Sequence, residues 1–231
     1  MKTKFAIIIY FTFILFTVIG TLTHEFGHFI VGRYLGYNST IHYGFTSTGT
    51  NQINEKLFKI YLRNKKAINA KNNFSEKQEF ESLIEENTRN YYLFTLGGPS
   101  INIIIGSIGF ILILFIRRRH LFATSKFHWL CLFLTFFWMR QPNNLVTWIM
   151  KTPITGSNIL NGDEIKLARH LNLPSGTIIW ITGILGLLIC GYTILKFVPK
   201  DKLRTFLVSG FLGGVSGIIL WFKILGPIIL P

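Results

Sequence analysis

From Phe5 to about Leu35 the chain runs almost unbroken through apolar residues, and near the end of that run stand His24, Glu25 and His28. As one helix the run would be about 46 Å long against a hydrocarbon core of ~30 Å, so it must tilt, bend or protrude. Gly20 is the expected bend, and Arg33 marks the return to a polar boundary. On a helix His24 and His28 project from one face and can share a metal ion, with Glu25 about 100° round from His24. That is the geometry of a zinc hydrolase. Ionisable groups inside a span are expensive and are usually there for function, so a purely structural His-Glu-His cluster is the weaker reading.

The remaining chain has the composition of a membrane protein. At 231 residues and 49% hydrophobic, it has room for several spans of ~20 residues. Its formal charge of +14 would suit nucleic acid, but the Lys and Arg residues fall between apolar runs, where membrane topology and anionic lipid account for them. The expected fold is an all-α polytopic membrane protein, a single domain over residues 1–231 with about five transmembrane helices. These are Phe5–Leu35, Tyr91–Ile116, Leu121–Met139, Thr177–Val198 and Phe206–Leu230. The first three form the expected catalytic core, about residues 5–172, and residues 174–231 are accessory. Lys2, Lys4 and the apolar stretch after them resemble a signal peptide, but no A-x-A-like site follows. Cys131 and Cys190 sit in apolar runs without metal or redox spacing.

Between the spans the pattern changes. Residues 37–54 are rich in Thr, Ser, Gly and Tyr with short alternation, which predicts a β-hairpin-like segment. It is either an edge that holds an extended peptide by strand addition or a plain surface hairpin. Residues 51–90 form a charged, helical excursion on the solvent side. In Gly97-Gly98-Pro99-Ser100-Ile101-Asn102 two glycines and a proline predict a break in the second span, tolerated in a bilayer only beside protein or a wet cavity. Residues 140–162 read as irregular. Asp163 and Glu164 open a short amphipathic helix stopped by Pro174.

A catalytic zinc site normally has three protein ligands. Outside Glu25 and the charged excursion, the only acids are Asp163, Glu164 and Asp201. Asp201 lies in a cationic loop. Asp163 is the preferred third ligand, with Glu164 or a histidine such as His42 as alternatives. A di-iron bundle would need a second Glu-x-x-His, which the chain lacks.

With these residues in place, the chain resembles the site-2 protease family of intramembrane zinc metalloproteases. The resemblance rests on His24-Glu25-Phe26-Gly27-His28 with Gly32 and Gly36, and on Gly97-Gly98-Pro99-Ser100-Ile101-Asn102 opening a later span. It implies a zinc-dependent metalloendopeptidase with one Zn²⁺ per chain, Glu25 as acid-base catalyst, and Asn102 near the reacting peptide. Gly97, Gly98 and Pro99 would border the substrate. The implied partners are a membrane-embedded protein or peptide substrate and the bilayer, with no nucleic acid. The expected location is multi-pass in a bacterial inner membrane. Family members often carry Asn-x-x-Pro ahead of an Asp-Gly that supplies the third ligand. Here Asn161-Gly162 precedes Asp163 and Glu164 follows, so the chain looks like a minimal, divergent branch. No segment resembles the PDZ or nucleotide-binding modules that larger relatives append.

Short-loop charges place the N-terminus in the cytoplasm, whereas the family resemblance implies the reverse, and the sequence leaves orientation open. Two other functions compete: a non-proteolytic scaffold retaining the motif, and a small transporter using the broken span. The transporter reading lacks paired broken helices and leaves Glu25 unexplained.

Overall fold

A computed structural model describes residues 2–118, 126–156 and 161–231. Helix α1, Lys2–Tyr34, is followed by the two-residue strands β1, Thr40–Ile41, and β2, Thr46–Ser47, which pair antiparallel with Thr40 opposite Ser47. Then come α2, Gln52–Asn69, and α3, Lys77–Arg118. Next are α4, Lys126–Thr135, a 3₁₀ turn over Phe136–Met139, α5, Arg140–Thr155, and α6, Asp163–His170. Helix α7, Thr177–Phe197, and α8, Lys200–Ile219, complete the bundle, with a π-helical turn over Leu220–Leu225 leading into α9, Gly226–Ile229.

Four of these stretches are long and apolar enough to cross a membrane: Thr3–Tyr34, Lys77–Ile116, Thr177–Phe197 and Lys200–Ile229. Their outer faces carry exposed large apolar side chains, including Phe11, Leu15, Ile111, Leu188 and Phe211, a surface that water would not tolerate at this extent. The molecule is an α-helical membrane protein. Of the expected third span, the start from Leu121 and the Arg119-His120 boundary before it lie outside the described residues. Its described part, α4 and the 3₁₀ turn, supplies Cys131, Leu132, Phe136 and Trp138 to the buried core beside Ile113 and Phe206.

Several local expectations are corrected. Helix α3 is continuous through Gly97-Gly98-Pro99, so the glycines serve close approach and open no break. A Cβ on Gly27 would lie 2.4 Å from the Gly97 carbonyl oxygen, and one on Gly97 would lie 2.6 Å from that of Gly27. Small residues thus bring the two backbones together, as membrane helix crossings commonly require. Residues 140–155, read as irregular, are helical. Pro142 falls in the first turn of α5, where a missing N–H costs little. Gly186 of α7 packs against it, since a Cβ there would be 2.6 Å from Pro142 Cδ and 3.0 Å from the Trp138 carbonyl oxygen. The Lys200–Arg204 segment, read as a loop, is the first turn of α8.

The contact of α1 with α8 gives a paired prediction. At Gly213 a Cβ would lie 2.3 Å from the Tyr10 carbonyl oxygen, whereas at Gly214 it would meet nothing within 4 Å. Gly213→Ala is expected to destabilise by about 1–3 kcal/mol through overpacking. Gly214→Ala is expected to be neutral or to stabilise by up to about 1 kcal/mol through helix propensity. Thermal unfolding in detergent measures both, and equal midpoints would contradict the packing described.

Candidate metal centre

Helix α1 presents His24 and His28 on the face turned toward α3, and both are buried. Their Nε2 atoms are 3.2 Å apart. The His28 Nδ1–H donates to the Phe94 carbonyl oxygen at 2.7 Å, and the imidazole stacks on the Phe94 ring with centroids 5.1 Å apart. Committing Nδ1 as donor leaves the Nε2 lone pair directed into the site, the usual way an outer partner fixes a ligating histidine. His24 Nδ1 is buried with no hydrogen-bond partner.

The third corner comes from far along the chain. Asp163 is the first residue of α6, with Gly162 at the cap. Ile165, Leu167 and Ala168 bury one face of α6, and His170 stacks on Tyr92 of α3. That anchoring delivers the Asp163 Oδ2 atom to 2.9 Å from His24 Nε2 and 3.2 Å from His28 Nε2.

These three atoms make a nearly equilateral triangle. Three corners of a tetrahedron around an ion with bonds of ~2.0–2.1 Å lie about 3.3 Å apart, close to the separations found. His24, His28 and Asp163 form a buried group that can hold a metal ion. Glycine at position 98 keeps the centre uncrowded: a Cβ there would stand 2.3 Å from His28 Nε2 and 2.6 Å from His24 Nε2. Two imidazoles and a carboxylate suit a borderline cation such as zinc, and an all-oxygen cage for magnesium or calcium is absent among the described residues.

Glu25 is 3% exposed and borders a cleft of about 410 Å³ that opens past Asp163. The Thr46 hydroxyl in β2 lies 3.1 Å from Glu25 Oε2 and 2.8 Å from the Glu25 backbone oxygen. The β-segment therefore fixes the glutamate. Across the cleft are Arg140 and Asn144 of α5, with Asn144 Nδ2 donating to Glu164 Oε1 at 2.8 Å. Burial pushes the Glu164 carboxyl up, and the Asn144 bond offsets part of that.

Of the residues expected from sequence, His24, His28 and Asp163 meet, Glu25 stands beside them, and Gly98 faces both rings. Gly97 makes the crossing with Gly27, and Pro99 is buried within α3. Asn102 is 1% exposed, and its Oδ1 has no partner. It sits one turn beyond Gly98 on the same helical face and is not part of the cleft wall. Of the alternative ligands, Glu164 turns to Asn144, and the His42 ring meets the Pro231 carbonyl oxygen and Ser47. Sequence reading missed Thr46, Arg140 and Asn144. An available signal for Arg140 was an isolated cation directly after an apolar run, the kind of intramembrane charge that marks a site. Neither a family model, a curated protein nor a solved structure matches this chain.

Proposed function

We propose that this chain is an intramembrane zinc metalloprotease of the site-2 protease type, hydrolysing peptide bonds of membrane-embedded substrates. The observation that carries the reading is the convergence of three ligand atoms beside Gly98, where any side chain would strike both rings. In this reading the apolar segment of residues 121–139 makes a fifth crossing, and the chain sits multi-pass in a bacterial inner membrane.

His24, His28 and Asp163 would hold the ion. When bound, zinc would lower the pKa of a coordinated water toward ~7 and polarise the scissile carbonyl. Glu25 takes the attacking water's proton as the oxygen–carbon bond forms, then gives a proton to the leaving amine as the carbon–nitrogen bond breaks. Thr46 keeps the Glu25 carboxylate aimed during both transfers. A substrate helix must unwind locally, because its carbonyls are engaged in their own hydrogen bonds, and the Thr40–Ser47 hairpin offers an edge for the unwound segment. Gly97 and Gly98 bring α3 against α1 and the two histidines.

Purified wild type and Glu25→Gln, assayed for zinc and for cleavage of a panel of single-span substrates, test the proposal. Zinc in both proteins and cleavage only by wild type is the expected result. Equal cleavage by both would remove the role of Glu25, and absence of zinc from both would remove the class.

A further inference from the structure

Arg140 is a feature of the cleft that the metal triad and Glu25 do not explain. It opens α5 directly after the 3₁₀ turn, and its neighbours Gln141 and Pro142 are buried, so its backbone is fixed. It lines the cleft together with Glu25 and Asp163. Its charge acts on both Glu25 and Glu164, yet it forms no ion pair with either among the described residues. Its Nε is buried without a hydrogen-bond acceptor. A buried donor left unmatched costs about 1–3 kcal/mol, so such a group commonly awaits a partner that the protein itself does not provide.

The other donors of the cleft are less suited to that partner. The Thr46 hydroxyl is engaged by Glu25, and the Asn144 amide by Glu164. The Trp148 indole N–H is also buried without an acceptor among the described residues, but it is a single uncharged donor. Lys151 is exposed, and the Lys166 ammonium lies over the Tyr91 ring, 5.8 Å from its centroid. A guanidinium presents its donors in a rigid fork that matches an anionic oxygen.

We propose that Arg140 is a catalytic residue that donates hydrogen bonds to the scissile carbonyl oxygen as that oxygen gains negative charge. The inference rests on the protease reading and adds a charge-stabilising group to it. The guanidinium transfers no proton. It lowers the barrier by supplying fixed positive charge and hydrogen-bond donors beside the reacting carbonyl.

The test uses the full-length, zinc-loaded protein in detergent with Arg140→Met and Arg140→Lys. Three quantities are read: zinc content, kcat and KM on a single-span substrate, and binding of a phosphinic peptide whose tetrahedral anion mimics the charged oxygen. Loss of one such donor is expected to lower kcat about 10²–10³-fold. Zinc content and KM should stay near wild type, phosphinic peptide binding should weaken at least about tenfold, and Arg140→Lys should recover part of each loss. Wild-type kcat and phosphinic peptide binding in Arg140→Met would overturn the inference while leaving the protease reading intact. Loss of zinc or of the folded protein in both variants would also overturn it, by showing that Arg140 serves the fold. Failure of the wild type to bind zinc or cleave would instead defeat the underlying reading.

Discussion

Gly98→Ala is expected to empty the metal centre. The added methyl would stand 2.3 and 2.6 Å from the two ligating nitrogens, nearer than any non-bonded carbon and nitrogen approach. Either α3 retreats from α1 or the two imidazoles turn away from the positions in which they converge with Asp163. Retreat is opposed one residue away, where Gly97 and Gly27 hold the backbones in contact. Zinc content should therefore fall from about one per chain to near zero, and proteolysis with it. Overpacking alone should destabilise by only about 1–3 kcal/mol, so the protein should remain folded. Stoichiometric zinc in a folded Gly98→Ala protein would show that the ion, if bound, sits elsewhere.

Asp163→Ala should have a comparable effect by a different route. It removes the one carboxylate that, among the described residues, touches both imidazoles, and leaves two ligands for an ion that takes three from the protein. Changes to the outer partners of metal ligands weaken binding about 10–100-fold, and loss of a direct ligand should exceed that. Glu164→Gln is the internal control. Its side chain faces Asn144, so zinc should be retained. Competition with a chromogenic chelator reads both affinities, and the opposite order would transfer the third ligand to Glu164.

Both variants touch positions whose meaning the amino-acid sequence carries to different degrees. The His24–His28 spacing is local, so a helical period alone places both rings on one side. Asp163 is reached only by elimination in a chain poor in acids, because nothing local says that a helix first residue 135 positions beyond His28 will return to it. The Gly97-Gly98-Pro99 run is conspicuous in the sequence, yet its expected role as a break is wrong. Glycine weakens a helix and also permits close approach, and only the facing residues, here Gly27 and the two histidines, decide between these uses. Pro142, Asn143 and Asn144 suggest irregular chain over residues 140–155 for a similar reason, since a proline in a first helical turn looks in sequence like a breaker. Arg140 shows in sequence only as an isolated cation after an apolar run, because its role depends on what surrounds it: two carboxylates that do not pair with it among the described residues and a cleft that it borders.

The most direct test of the central claim is zinc-edge X-ray absorption on the purified protein, wild type beside Asp163→Ala. The wild type is expected to show a four-coordinate shell with two imidazole nitrogens at ~2.0–2.1 Å and oxygen at ~2.0–2.2 Å, a signal that disappears in the variant. A six-coordinate oxygen shell, sulfur scattering from Cys131 or Cys190, or an unchanged spectrum in Asp163→Ala would contradict it.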